Sequence, residues 1–74
     1  MSKLPIVSGK DAIKAFSKIG YQINRQKGSH LRLYHADKKP LTIPDHKTLG
    51  RGLLRKILRD AEISVETLVQ LLKD

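Results

Sequence analysis

The chain has 74 residues, with 15 Lys or Arg against 7 Asp or Glu, and its formal charge is +8. This length predicts one small domain over residues 1–74, and the absence of cysteine excludes a disulfide framework or a thiolate zinc site. The positive charge favours nucleic acid as the partner, with an acidic protein as the second choice. No apolar run is long enough for a membrane span or a secretory signal, so we expect a cytoplasmic protein without a membrane role.

The first predicted element is a helix from Gly9 to Ile19. Ser8 and Asp11 have the spacing of a capping box, and apolar residues then recur at helical intervals until Gly20 ends the helix. Lysines four residues apart follow its other side, which is either a solvated face or a ridge that contacts phosphates. These lysines are Lys10, Lys14 and Lys18.

From Tyr21 the apolar period changes to two, and this alternation predicts three short antiparallel strands in a meander. Gly28 falls between the first two strands, where a turn favours a residue with positive φ. In the first strand Arg25 has the same parity as Tyr21, and so is expected on the same side. The side that the helices should cover is formed by Tyr21, Ile23, Leu31, Leu33, Leu41 and Ile43.

After the third strand, apolar spacing predicts two further helices between about Gly52 and Lys73. Ser64 is positioned to cap the last helix, and Glu66 favours its first turn. The predicted order is therefore α-β-β-β-α-α, an α+β fold with a three-stranded antiparallel sheet and helices on one face. The helix before Ser64 has a basic polar side that consists of Arg51, Arg55, Lys56 and Arg59.

His30 begins the second strand and alternates with Leu31 and Leu33, so it should lie on the solvent side of the sheet. A histidine there is either an ordinary surface contact or a general base. Imidazole can take a proton from an RNA 2′-hydroxyl, which then attacks the adjacent phosphate while cations stabilise the developing charge. The candidate RNA-binding residues around His30 are Arg25, Lys27, Gly28, Ser29 and Arg32.

Two further histidines, His35 and His46, raise the question of a metal site. His30 and His35 are five residues apart on an alternating segment and should face opposite sides, and no compact ligand spacing occurs. We therefore expect no metal or other cofactor. Both are better interpreted as loop or strand-end residues, although His46 could touch a phosphate. Among the aromatic residues only Tyr34 is placed to stack on a base, so phosphate contacts should dominate RNA binding.

Three segments, in this order, resemble the HicA (YcfA-like) family of toxin mRNA interferases along nearly the whole chain: "LPIVSGKDAIKAFSKIGY", "RQKGSHLRL" and "TIPDHKTLGRGLLRKILRDAEIS". The resemblance implies a double-stranded-RNA-binding-domain-like fold and cleavage of mRNA or other single-stranded RNA without a metal. It also implies inhibition of translation and growth, and neutralisation by a HicB-type antitoxin. The family's catalytic histidine corresponds to His30, preceded by Gly28 and Ser29.

The chain departs from the family pattern at two structural positions. The family often has Gly-Thr-Leu where this chain has Gly52-Leu53-Leu54, and a glycine near the position of Glu62. Two other functions stay open at this point. One is a non-catalytic double-stranded-RNA-binding module, which would need cations but no group that titrates near pH 7. The other is an adaptor that only docks an acidic protein, which would leave His30 without a role.

Overall fold

The computed structural model describes residues 3–73 of the chain. The helices are α1 (Gly9–Ser17), α2 (Arg51–Ala61) and α3 (Val65–Lys73), and the strands are β1 (Gln22–Lys27), β2 (His30–Tyr34) and β3 (Leu41–Pro44). The strands form one antiparallel sheet in the order β1-β2-β3. This arrangement confirms the predicted α+β, double-stranded-RNA-binding-domain-like fold. Within residues 3–73, no helix combines the length and apolar character that crossing a membrane requires.

The predicted capping residue of α1 performs that role. The Oγ of Ser8 accepts a hydrogen bond from the backbone N–H of Asp11 at 3.0 Å. The helix ends at Ser17, two residues before the predicted end at Ile19, because the following backbone N–H groups bond to carbonyls only three residues earlier. Gly20 then adopts a φ of 107°, which a residue with a side chain rarely tolerates.

A tight turn joins β1 to β2 and sets their register. Lys27 lies opposite His30, so Gly28 and Ser29 are the two residues of the turn. Gly28 has a φ of 60°, and a positive φ at the first of two turn residues is the feature of a type II′ hairpin. The carbonyl of Ser29 accepts a hydrogen bond from the N–H of Asp45 at 2.6 Å. The turn is thereby tied to the end of β3 as well.

A bulge in β1 changes which of its residues face the helices. Ile23 pairs with Leu33, whereas Arg25 pairs with Arg32, so Asn24 is the extra residue. Directly paired residues of antiparallel strands point to the same face. Ile23 therefore faces the helices with Leu33, and Arg25 faces the opposite side. The expected shared side of Ile23 and Arg25 is wrong, because Asn24 interrupts the alternation.

The expected core position of Ile23 is also wrong. Every residue of β1 is exposed, and Ile23 is 54% exposed. β1 is an edge strand, and its extensive contacts are with β2 and not with a helix. Tyr21, just before β1, is buried as predicted, and its hydroxyl donates a hydrogen bond to the carbonyl of Lys39 at 2.8 Å. Burial raises the pKa of the Tyr21 phenol, and the negative charges of Asp60 and Glu62 raise it further.

The hydrophobic core lies between the sheet and the three helices. The leucines and isoleucine of β2 and β3 are buried on the predicted side, while α1 and α2 both contact β3, and α1 contacts α3. Helices on one face of the sheet are therefore confirmed. The buried helix residues are Ala12, Ala15 and Phe16 in α1, Leu54, Ile57, Leu58 and Ala61 in α2, and Leu68 in α3.

The junction of α2 and α3 is closed by side-chain and backbone caps. Glu62 follows α2 in the left-handed conformation, with φ 59° and ψ 40°, which favours glycine. The Nζ of Lys38 donates a hydrogen bond to the carbonyl of Ala61 at 2.8 Å. The Oγ of Ser64 accepts the N–H of Thr67 at 3.0 Å, so the predicted cap of α3 is confirmed.

Candidate active site

His30 lies at the first position of β2, immediately after the turn, and its side chain is exposed. It pairs with Lys27 on one side and with Pro44 of β3 on the other. Within residues 3–73 the imidazole forms no hydrogen bond to another side chain or to the backbone. Neither ring nitrogen is therefore engaged by the residues that the structure describes.

The hairpin register brings the predicted cations to the side of the sheet where His30 lies. Lys27 pairs with His30, and Arg25 pairs with Arg32, so all four side chains leave the same face. Tyr34 joins them because it is two and four residues from Arg32 and His30 on β2. We call this surface the His30 face; it consists of Arg25, Lys27, His30, Arg32 and Tyr34.

Because of the bulge at Asn24, Ile23 and Arg25 of β1 point to opposite faces of the sheet. Without it, Ile23, Arg25 and Lys27 would alternate regularly and share one face. With it, Ile23 faces the helices while Arg25 and Lys27 face the side of His30. The sequence alone did not indicate the bulge, since Asn24 is neither glycine nor proline.

Arg32 is the most constrained cation of the His30 face. Its Nη1 donates a hydrogen bond to the Oγ1 of Thr42 at 2.7 Å, and Thr42 is its partner on β3. Its guanidinium carbon lies 5.9 Å from the centre of the Tyr34 ring, within the range of a cation–π contact. Arg32 is half-buried, whereas Lys27 and Arg25 are exposed. The guanidinium is thus held in place beside His30 before any ligand binds.

The turn residues support this geometry through the backbone. Gln26 donates from its Nε2 to the carbonyl of Gly28 at 3.2 Å, and a Cβ added to Gly28 would meet no atom within 4 Å. Space around Gly28 is therefore open, and its positive φ is the reason for glycine. The Ser29 side chain is exposed next to His30. Gly28 and Ser29 directly precede His30 in the chain, and their expected contacts with RNA stay a prediction.

A groove of about 230 Å³ separates the His30 face from α2. His30 and Arg32 line it from the sheet, and Leu53 and Asp60 line it from α2. Sequence reasoning missed Asp60 and Thr42, and it assigned Lys56 only to the basic side of α2; Thr42 and Lys56 also line the groove. The sequence held one indication of the Lys56–Asp60 pair, since the two residues are four apart, which is the spacing of an ion pair on a helix.

Lys56 and Asp60 form an ion pair at the groove, with Nζ and Oδ2 3.0 Å apart. The hydrogen bond from Lys56 lowers the pKa of the Asp60 carboxyl, and the charges of Lys39 and Arg59 act in the same direction. The carboxylate therefore stays ionised at neutral pH. It is the one acidic side chain that lines this groove among the residues that the structure describes.

His35 has a structural role that its sequence position alone did not define. Its Nδ1 accepts a hydrogen bond from the N–H of Asp37 at 2.9 Å, and its Nε2 lies 2.8 Å from the carbonyl of Ile19. This pattern is satisfied by neutral imidazole with its proton on Nε2. The ring also lies 4.9 Å from that of Tyr21. His35 therefore fastens the loop after β2 to the end of α1.

His46 is exposed in the loop between β3 and α2, where its backbone carbonyl accepts a hydrogen bond from the N–H of Gly9 at 2.8 Å. The three histidines do not converge. Among residues 3–73, no group of three or more His, Asp or Glu side chains has the proximity needed to hold a metal ion.

Comparison with protein families matches residues 9–63 to the model described as HicA toxin of bacterial toxin-antitoxin. The match includes the whole His30 face and α2, and it spans more than half of the 74 residues. The chain belongs to the HicA toxin family. This HicA toxin is therefore one component of a toxin–antitoxin pair, and an antitoxin partner is implied. α3 lies beyond the matched region. No curated protein matches the chain.

Proposed function

We propose that this HicA toxin is a metal-independent endoribonuclease that cleaves mRNA or other single-stranded RNA, with His30 as the general base that activates a 2′-hydroxyl. One observation carries the proposal. The imidazole of His30 is exposed and free of hydrogen bonds within residues 3–73, and it shares its face of the sheet with Arg25, Lys27 and Arg32. A structural histidine would be expected to have partners, as His35 does.

The chemistry needs no cofactor, because the RNA supplies its own nucleophile. Neutral His30 accepts the proton of a 2′-hydroxyl as that oxygen attacks the adjacent phosphorus. The bond from phosphorus to the 5′-oxygen then breaks, and the leaving oxygen takes up a proton from an imidazolium or from water. The products are a 2′,3′-cyclic phosphate and a 5′-hydroxyl.

The neighbouring cations would stabilise the additional negative charge on the phosphate in the transition state. Lys27 is the cross-strand neighbour of His30, and Arg32 is already held by Thr42 and Tyr34. Arg25, paired with Arg32, would bind a flanking phosphate. The Ser29 hydroxyl and the backbone at Gly28 are close enough in sequence to donate further hydrogen bonds to the same strand of RNA.

An antitoxin that covers the RNA-binding surface would control such an activity. We propose a HicB-type antitoxin whose acidic segment covers His30 or the exposed basic side of α2, because both surfaces are cationic. Cleavage of mRNA would inhibit translation and growth, and the substrate makes the cytoplasm the place of action. Association with the antitoxin should slow as ionic strength rises.

The experiment that tests the proposal compares His30→Ala with His46→Ala, which removes an exposed histidine outside the His30 face. Both proteins should unfold at nearly the wild-type temperature, because exposed side chains contribute little to stability. In chelator, His30→Ala should cleave labelled single-stranded RNA about a hundred- to ten-thousandfold more slowly, and His46→Ala at nearly the normal rate. Normal cleavage by folded His30→Ala would refute the role of His30. Binding without cleavage by the wild type would instead support a non-catalytic RNA-binding module.

A further inference from the structure

The surroundings of His30 differ on its two sides. Toward β1 lie the exposed cations Arg25 and Lys27. Toward α2 lies the groove of about 230 Å³, which is lined by the apolar side chain of Leu53 and by the carboxylate of Asp60. The cationic side is suited to phosphates. The groove needs a different explanation, because its walls are neither uniformly positive nor uniformly apolar.

Phosphate is a poor occupant for this groove. Arg32 and Lys56 also line the groove, but the ionised carboxylate of Asp60 offsets the charge of Lys56, and Arg32 is bonded to Thr42. Less positive charge is therefore available to a phosphate here than on the side of β1. Leu53 is 36% exposed, so it offers apolar surface that a phosphate cannot use. A nucleobase has the complementary chemistry, since its flat faces are apolar and its edges carry hydrogen-bond donors and acceptors.

We infer that the groove between the His30 face and α2 binds one nucleobase of single-stranded RNA, with Asp60 accepting a hydrogen bond from an exocyclic amino group. The inference rests on the proposed function, because it assigns the groove to a nucleotide adjacent to the scissile phosphate. Carboxylates accept from the amino group of cytosine in other nucleic-acid complexes, and adenine and guanine carry amino groups as well. Uracil has none.

The ion pair of Lys56 and Asp60 provides the hydrogen-bonding groups for a contact with a base edge. Lys56 binds the Oδ2 of Asp60, which leaves the other carboxylate oxygen for the base. The Lys56 side chain is 63% exposed, so its remaining N–H groups can donate to an acceptor on the same base edge. Asp60 and Lys56 thus offer an acceptor and a donor next to each other. On the sheet side, Thr42 is already engaged by Arg32, and it fixes that wall.

The test uses the full-length wild-type chain and the four nucleoside 5′-monophosphates, which cannot be cleaved because they lack a 3′-phosphodiester. Binding is followed by chemical-shift changes in the backbone amides. We expect CMP, AMP or GMP to bind about tenfold more tightly than UMP, because one hydrogen bond to a charged group changes affinity by about that factor. The largest shifts should occur at Thr42 and Leu53.

The matched variants are Asp60→Asn and Asp37→Asn, each of which removes one negative charge from an accessible carboxylate. Asp60→Asn should lose most of the preference over UMP, while Asp37→Asn should keep it. Equal binding of all four nucleotides by the wild type, or a full preference in folded Asp60→Asn, would overturn the inference. The shared phosphate cancels in this comparison, so the cations of the His30 face do not affect the ratio.

The outcome separates this inference from the proposed function. A wild-type chain that cleaves RNA in chelator but shows no preference among the nucleotides refutes the base-binding groove and leaves the role of His30 intact. A chain that prefers amino-bearing nucleotides but does not cleave RNA keeps the groove and refutes the nuclease.

Discussion

The cations of the His30 face should set the salt dependence of RNA binding. Arg25, Lys27 and Arg32 share that face, so up to three phosphates can be neutralised there. For single-stranded nucleic acid each such contact contributes about −0.7 to the slope of log affinity against log salt concentration. Three contacts give a slope of about −2, and affinity should fall by about 20-fold between 50 and 200 mM salt. Lys27→Gln should make this slope shallower by about 0.7.

The assay is fluorescence anisotropy of a labelled single-stranded RNA, with His30→Ala present in every protein so that the RNA stays intact. Lys73→Gln is the matched control, because Lys73 is an exposed lysine at the end of α3, outside the His30 face. It should leave the slope nearly unchanged. The assignment of the RNA-binding surface is refuted if Lys27→Gln and Arg25→Gln leave the slope unaltered, or if Lys73→Gln makes the slope shallower by the same amount as Lys27→Gln.

Two further predictions concern stability. Glu62→Gly should raise the free energy of unfolding by about 1 kcal/mol, or the thermal midpoint by about 5 °C, because glycine adopts the left-handed backbone conformation at position 62 without strain. Glu62→Ala keeps that strain, so an equal gain in stability for Glu62→Ala would contradict this reason. Burial raises the pKa of the Tyr21 phenol above its ordinary value, so the stability that the neutral phenol contributes is complete below the unfolded-state pKa and is lost as pH rises through the folded-state pKa. In thermal melts at alkaline pH, the wild type should therefore lose stability more steeply than Tyr21→Phe, which has no phenol to ionise. An equal loss in the two proteins would contradict this role for Tyr21.

The sequence predicted the element order and the core positions of β2 and β3 because local signals determine them. Ser8 and Ser64 cap their helices through side-chain oxygens that need only the next turn of backbone. Leu31 and Leu33 lie on the buried side because strict alternation fixes the face of a regular strand. The exposure of His30 follows from the same alternation.

The bulge in β1 and the groove could not be predicted in the same way. Asn24 becomes the extra residue because the turn fixes Lys27 opposite His30 while Tyr21 is buried at the other end of the strand. Regular alternation cannot satisfy both ends, and only tertiary packing reveals the conflict. Asp60 reaches the groove because α2 packs beside β3, a contact between distant segments.

The most direct test of the proposed mechanism is the cleavage of a matched pair of RNAs in chelator by the wild-type toxin. The substrates are identical except for a single 2′-deoxyribose at a mapped cleavage site. Because the 2′-hydroxyl is the proposed nucleophile, the all-ribose RNA should be cut to a 2′,3′-cyclic phosphate, and the deoxy substrate should bind equally but stay intact there. Cleavage of the deoxy substrate at the normal rate would contradict the account.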